Sequence, residues 1–550
     1  MAGQVLYNGI QLPDKWPPSN LSAASTDPMP VPYLKNPPAV IDIDIGRQLF
    51  VDDFLVENTT MSRAWHSAKQ YAGNPVLAPS TDAELNRTKS SDGSQEAVCY
   101  LGTGGVFWNP AQSLFNMWYV AGWRGGLALA TSRDGLSWTR TALNAKGENI
   151  VIPAGMSEGK AGGDNTVYLD VATRIESERY KFLTMRSSKE HALYTSKDGL
   201  DWSRGVSTGP AADYCTFFFN PFRNVWVHSI KRNGPRGRAR DYAESPVFMR
   251  PGIYNRSVYW VNADRLDKPD PEIGDAPQLY MLHGIAYESI LLGMFQILLG
   301  PGNDVCAAGN FPKTTDLKLG FSRDGFYWDR PNREPFIKAT RKEGDWNRAY
   351  LHSTAGICLI VGDWLYFPYT GFSGVSPTGL KGMYTGASIG MAILRRDGFA
   401  SMEAGAGGGV LTTRPVRFSG RRLFVNVDCP GGELRAEVLD SSGAQIAGFT
   451  KDDCLPVRAD KTLAPVAWKN GADLPALAGK PVRFRFYMNN GKLYSFWVSR
   501  DESGASRGFV AAGGPGYGRS YDVEGASALS AAQSSVTQPF VAQASKPAPE

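Results

Sequence analysis

The sequence predicts an all-β protein, a five-bladed β-propeller followed by a C-terminal β-sandwich. Three observations carry this. First, Ser132-Arg133-Asp134-Gly135-Leu136-Ser137-Trp138, Ser196-Lys197-Asp198-Gly199-Leu200-Asp201-Trp202 and Ser322-Arg323-Asp324-Gly325-Phe326-Tyr327-Trp328 are near-copies of one another. Arg395-Arg396-Asp397-Gly398-Phe399 is a decayed fourth copy. Self-similarity at a spacing of tens of residues marks a repeat architecture. Second, each copy closes an alternating run (residues 127–130, 193–194, 317–321 and 389–394), so the repeat is a strand, a tight Asp-Gly turn and a Trp re-entering the core. An all-strand unit recurring in this way is a propeller blade. Third, the texture changes after the glycine-rich joint at 405–409. Alternating strands at 423–427, 434–439, 465–468, 482–487 and 493–498 follow without the turn motif, a pattern that fits a sandwich of roughly 100 residues.

Along the chain, residues 1–45 are rich in Pro, Ser and Asn and read as an extended arm lying on the body. Residues 41–57 begin the ordered fold with period-two alternation. Five units then align within a propeller spanning 46–404, each with an inner strand, an aromatic-rich second strand and a third leading to the turn. Unit one runs 105–108, 117–120 and 127–138; unit two runs 164–170, 180–185 and 192–202. Unit three runs 213–220, 226–231 and 239–245, where the turn motif is lost. Unit four runs 279–289, 292–299 and 317–328, stretched by an insertion at 266–277, and unit five runs 349–361, 364–370 and 388–399. The sandwich spans 405–512. From 513 to 550 the chain is Gly, Ser, Ala, Gln and Pro, the composition of a disordered tail.

At 550 residues the chain calls for two domains or more, and its 60 Gly, 36 Pro and 11% aromatic content suit many short strands joined by tight turns. The net charge of +5 is spread along the chain without a Lys/Arg stripe, which argues against a nucleic-acid partner. No run approaches the length of a membrane span. Residues 1–18 carry neither a basic start nor an apolar stretch, so no signal peptide is expected, and the chain reads as cytoplasmic as written unless a leader was removed. The six cysteines show no zinc spacing; Cys429 and Cys454 lie in one late domain and could pair. No metal or cofactor is expected: there is no His-x-x-x-His or EF-hand loop, and the 405–409 glycines lack the strand-to-helix context of a phosphate cradle.

The inner strands of a propeller converge on its channel, so matching positions of several blades form one small-molecule site at a mouth. The acids at those positions are Glu96, Asp164, Asp213 and Glu288, with His352 in unit five. Carboxylates from different blades suit glycosidic cleavage, where one protonates the leaving oxygen and another acts as base or nucleophile. Glu288, in Gly-Ile-Ala-Tyr-Glu-Ser-Ile-Leu-Leu-Gly, is expected as general acid because its apolar flanks would raise its pKa. Asp213 opens an apolar strand and Asp164 follows Gly162-Gly163; one is expected as base or nucleophile and the other as its orienter. Trp123, Trp346 or Tyr287 would stack on sugar rings, and His352 would hold a hydroxyl or a water. Asp134, Asp198 and Asp324 read as turn caps.

With its five units, Ser-x-Asp-Gly-x-x-Trp turns and trailing sandwich, the chain resembles the five-bladed propeller glycoside hydrolases of families 32, 43, 62, 68 and 130. Residues 49–57, Asn74-Pro75-Val76-Leu77 and Met117-Trp118-Tyr119 also resemble a set of bacterial proteins with that predicted fold. The resemblance spans roughly residues 45–500. It implies three acids on inner strands of different blades, which maps onto Glu288 and Asp213 by blade position; the family 32 signatures Asn-Asp-Pro-Asn, Arg-Asp-Pro and Glu-Cys are absent from this chain. It implies hydrolysis of a furanoside or a plant- or algal-type oligosaccharide. The alternatives are a non-catalytic carbohydrate-binding propeller and a polysaccharide lyase, for which Tyr287, His352 and Arg348 would supply a base and a group to neutralise a uronate.

Overall fold

Strands fall where the alternating runs place them. The computed structural model describes residues 3–85, 96–154, 165–187, 189–471 and 473–535. Five antiparallel sheets follow one another along the chain, and each begins with a strand that takes no intrasheet partner on one side or only a short one. These first strands are β1 (Cys99–Asn109), β2 (Asn165–Leu169), β3 (Thr216–Asn220), β4 (Gln278–Glu288) and β5 (Ala349–His352). All eleven residues of β1 are buried, as a strand flanked by neighbours on both faces requires.

The first strands pack against one another in sequence: β1 on β2, β2 on β3, and β3 on β4. Tyr280 and Tyr350 join β4 to β5 through a 2.8 Å hydrogen bond between their hydroxyls, and β5 returns to β1. Short polar bonds stitch neighbouring sheets: Thr216 donates to the Leu282 carbonyl at 2.5 Å, and Thr315 to that of Leu351 at 2.7 Å. The fifth sheet takes its last strand, Lys69–Gln70, from far upstream, where it pairs with Ala387–Arg395. Pairing the start of the chain with its last sheet locks the cycle of contacts.

The turn motifs behave as their chemistry dictates. In the first copy the Asp134 carboxylate accepts from the backbone N–H of Leu136 at 2.8 Å and of Ser137 at 2.7 Å. Asp198 and Asp324 repeat the pattern. Trp328 is buried and packs edge-on against Phe295 of its own sheet and Phe218 of the preceding one.

Two six-stranded sheets hold the remaining strands, and they draw on both ends of the sequence. Gln48–Leu49 pairs with Gly491–Ser499, Val56–Thr59 with Gly409–Thr413, and Ser62–Trp65 with Ala400–Ala404. The boundary expected between 404 and 405 therefore separates pairing partners, since 48–49 and 56–59 pair with strands beyond it, and residues 41–65 belong with 400–499. Period-two alternation identifies a strand, but only the pairing says which sheet takes it.

The segment expected as a disordered tail is ordered as far as residue 535. The N–H of Ile360 donates to the Gly513 carbonyl at 2.9 Å, and Ala526–Ser535 is a helix. The glycines there serve close approach rather than looseness, since a Cβ on Gly514 would lie 1.6 Å from the Ile360 carbonyl oxygen. Cys429 and Cys454 are both free thiols, so the pairing considered for them is not formed. No described helix is long and apolar enough to cross a membrane.

Candidate functional site

The two ends of the first strands differ in kind. At their starts, the aligned units place a tyrosine in four of five first strands or directly before them: Tyr100, Tyr214, Tyr280 and Tyr350. The hydroxyls of Tyr100 and Tyr214 lie 3.2 Å apart, so these two rings meet across two different sheets. Burial pushes the phenols of Tyr280 and Tyr350 far above their ordinary value, so both stay protonated, and with one hydroxyl donating to the other a single O–H of the pair is left to donate.

His352 sits among these rings, 4.3 Å from Tyr350 and 5.6 Å from both Tyr100 and Tyr214 between centroids. It is fully buried, and neither ring nitrogen has a hydrogen-bond partner. Burial, followed by the field of Lys313, lowers its pKa well below the usual histidine range and keeps it neutral. A buried imidazole without partners costs about 1–3 kcal/mol, a cost that a ligand hydroxyl would remove.

Asp213 directly precedes Tyr214 and keeps 39% of its side chain exposed while forming an ion pair with Lys231. Glu96 lies three residues before β1 and has a buried Oε2 without a hydrogen-bond partner. Trp123 is stacked on Tyr384 with centroids 4.2 Å apart, so its own face is covered and Tyr384 is the half-buried ring of the pair. Arg348 lies two residues before Tyr350 and is half-buried. Asp164 lies outside the described residues, immediately before Asn165, which opens β2. Asp213, Glu96, His352 and Trp123 thus share one end of the first strands.

Glu288 and Tyr287 do not. They end β4, roughly 26 Å along the strand from Tyr280 at the usual rise per residue. Glu288 is 0% exposed and held by Arg396 at 3.0 Å, Ser506 at 2.6 Å and the Arg47 backbone N–H at 3.1 Å. Arg47 also reaches Asp397 at 3.0 Å, and Tyr287 donates to Asp397 at 2.5 Å. Burial pushes the Glu288 carboxyl upward, as its apolar flanks suggest, and Arg396 and Arg47 oppose that. Every side chain around Glu288 is protein. The expectation of a general acid in the mouth is corrected here, because Glu288 joins the fourth sheet to the six-stranded sheets. Tyr287 is committed to the same cluster and is not available as a stacking ring or a base.

The same end holds an apolar cavity of about 310 Å³ lined by Phe107, Trp108, Tyr168, Phe219 and the segment 509–513. Its one carboxylate, Asp170, is paired with Lys181 at 2.8 Å. Among the described residues no group of three His, Cys, Asp or Glu is placed to hold a metal ion.

Sequence reasoning missed the four tyrosines, Tyr384, Lys231 and Lys313. The tyrosines carried a signal, since the second residue of units three, four and five is Tyr each time (Tyr214, Tyr280 and Tyr350). Lys313 carried none, because it follows α1 (Asn303–Gly309) and reaches the mouth only through the folding of the fourth sheet.

No protein-family model matches the chain, and no curated protein matches it in sequence. Among solved structures it is similar to an N-acetylgalactosamine deacetylase from F. plautii in complex with blood group B trisaccharide, at 12% identity and a TM-score of 0.40 over 60% of this chain and 95% of that one. It is similar to a thermostable family-43 glycoside hydrolase at 11% identity and a TM-score of 0.38, over 55% and 90% of the two chains. A glycosyl hydrolase from Bacteroides ovatus aligns at 12% identity and a TM-score of 0.36, over 64% and 97%. Likeness at this level transfers no activity to this chain.

Proposed function

We propose that this chain is a glycoside hydrolase whose site is the mouth at the starts of β1 to β5. In this reading the five cyclic sheets are the blades of a propeller and the two six-stranded sheets form a sandwich beside it. The observation that carries it is the meeting of Asp213 and Glu96 with four tyrosines and an unpartnered buried histidine, drawn from four of the five sheets, at one end of the first strands. Phenol and imidazole groups match the hydroxyls of a sugar, and Tyr384 offers a stacking ring.

Two carboxyls suffice for the chemistry. Glu96, as general acid, delivers a proton to the leaving glycosidic oxygen as the bond to the anomeric carbon breaks. Asp213 takes a proton from the water that attacks that carbon. The substrate class is a furanoside or a plant- or algal-type oligosaccharide.

A second reading, a carbohydrate-binding propeller without catalysis, is favoured by one observation: Lys231 already neutralises Asp213. The deciding experiment is turnover of aryl glycosides, arabinofuranosides and fructosides included, and of plant and algal oligosaccharides by wild type, Asp213→Asn and Glu96→Gln. Hydrolysis is expected in wild type, with a loss of about a hundredfold or more in each variant. Sugar binding without turnover would replace the hydrolase by the binding module.

A further inference from the structure

Lys313 is 1% exposed, yet no described carboxylate forms an ion pair with it. Its only hydrogen-bond acceptor is the neutral side chain of Asn303, at 2.6 Å. The ammonium instead lies over the faces of Tyr350, Tyr280 and Tyr384, at 4.9, 5.4 and 5.4 Å from their centroids. Cation–π contact of this kind offsets part of the desolvation of a buried ammonium but supplies no counter-charge.

A second cation approaches the same ring. The Arg238 guanidinium is 5.3 Å from the Tyr280 centroid, and its polar partner is again a neutral amide, Gln278, at 2.9 Å. The two cations repel: burial first and Arg238 second lower the Lys313 pKa to about 8. The one carboxylate among the described residues whose field acts on Lys313 is that of Asp213, which is already paired with Lys231. Two like charges held on one tyrosine with only amide acceptors form an arrangement that an incoming anion stabilises. Beside it stands His352, buried and without a partner.

We propose that Lys313 and Arg238 hold an anionic group of the bound sugar, a carboxylate or a sulfate ester, so that the ligand is an acidic rather than a neutral saccharide. This rests on the mouth being the sugar site and names the class of sugar it takes. Uronate and sulfate share the chemistry that two converging cations recognise; they are separated by experiment.

The test is calorimetric titration of the full chain with two matched pairs: an oligogalacturonate against its methyl ester, and a sulfated galactan oligosaccharide against its desulfated form. One pair is expected to show at least about tenfold tighter binding of the acidic member. Lys313→Gln and Arg238→Gln should each bring that ratio close to one. Arg238 is not fully buried, so its variant keeps the test open if the Lys313 variant misfolds. Acidic-to-neutral ratios near one for both pairs in wild type, or a ratio unchanged in both variants, would overturn the proposal. Binding and cleavage of neutral sugars alone would leave the hydrolase standing and remove the anion site. Lys313-dependent binding of an acidic sugar that is never hydrolysed would do the reverse. Failure of every sugar to bind would overturn both.

Discussion

The two ends of β4 carry ionisable groups of opposite disposition. At its end, Glu288 and Asp397 are matched by Arg47 and Arg396, and Ser495, Ser506, Asn426 and Tyr287 occupy the remaining lone pairs. At its start, Lys313 and Arg238 lack any carboxylate, and His352 and Glu96 keep buried polar atoms unpaired. Lys313 and His352 are as deeply buried as Glu288 and Asp397, so burial alone does not mark a site. What differs is charge pairing. At the Glu288 end each carboxylate faces a guanidinium, although the Nε groups of Arg47 and Arg396 keep no hydrogen-bond partner, whereas Lys313 and Arg238 at the starts of the first strands face no paired carboxylate among the described residues.

The comparison breaks most readily at Glu288. Glu288→Gln leaves the Arg47 and Arg396 pair short of one negative charge in a dry interior, and a stability loss of about 3–5 kcal/mol is expected by denaturant titration. Turnover per folded molecule should stay within a fewfold of wild type. A specific hundredfold loss of turnover with stability intact would mean that this end is the reactive one.

At the other end the sign of the stability effect reverses. Lys313 is depressed from 10.5 to about 8, so the folded state binds fewer protons than the unfolded state between those values. Its destabilisation, about 3 kcal/mol by linkage, is fully present below about pH 8 and is relieved as pH rises toward 10.5. Lys313→Met should therefore raise stability at pH 7, and the gain should shrink in melts repeated toward pH 10. A loss of stability at pH 7 would show that Lys313 is satisfied in the free protein.

The turns give the smallest effect. Asp134→Ala removes the acceptor for the N–H groups of Leu136 and Ser137, and a cost of about 1 kcal/mol in a chemical melt is expected. Asp397→Ala, at the matching position of the decayed repeat, should cost several times more, because Asp397 has left turn capping for the Arg47 cluster. Equal costs would show that the fourth copy is still only a turn.

Much of this was legible in the sequence, for identifiable reasons. The Asp-Gly turns are local hydrogen-bonding devices, so their residues announce them wherever the chain goes. The alternating runs located three strands in each of the five sheets and missed the short further ones, Val206–Pro210 and Val258–Asn262 among them. Glu288 was misassigned because its apolar neighbours report burial and say nothing about which end of a strand a residue occupies. Its place as the next-to-last residue of unit four's first strand, where Asp213 is the first of unit three's, already separated the two. The pairing of residues 41–65 with 400–499 was hidden because alternation fixes a strand's faces but not its partner. The 513–535 segment looked like a linker because glycine composition reads the same whether glycine allows motion or close packing.

The measurement that tests the central claim most directly is kcat/KM for wild type, Asp213→Asn and Glu288→Gln on one cleaved saccharide, each normalised to the folded fraction. A loss of about a hundredfold or more confined to Asp213→Asn is the predicted result. A loss of that size confined to Glu288→Gln would contradict the account and move the chemistry to the charge-paired end.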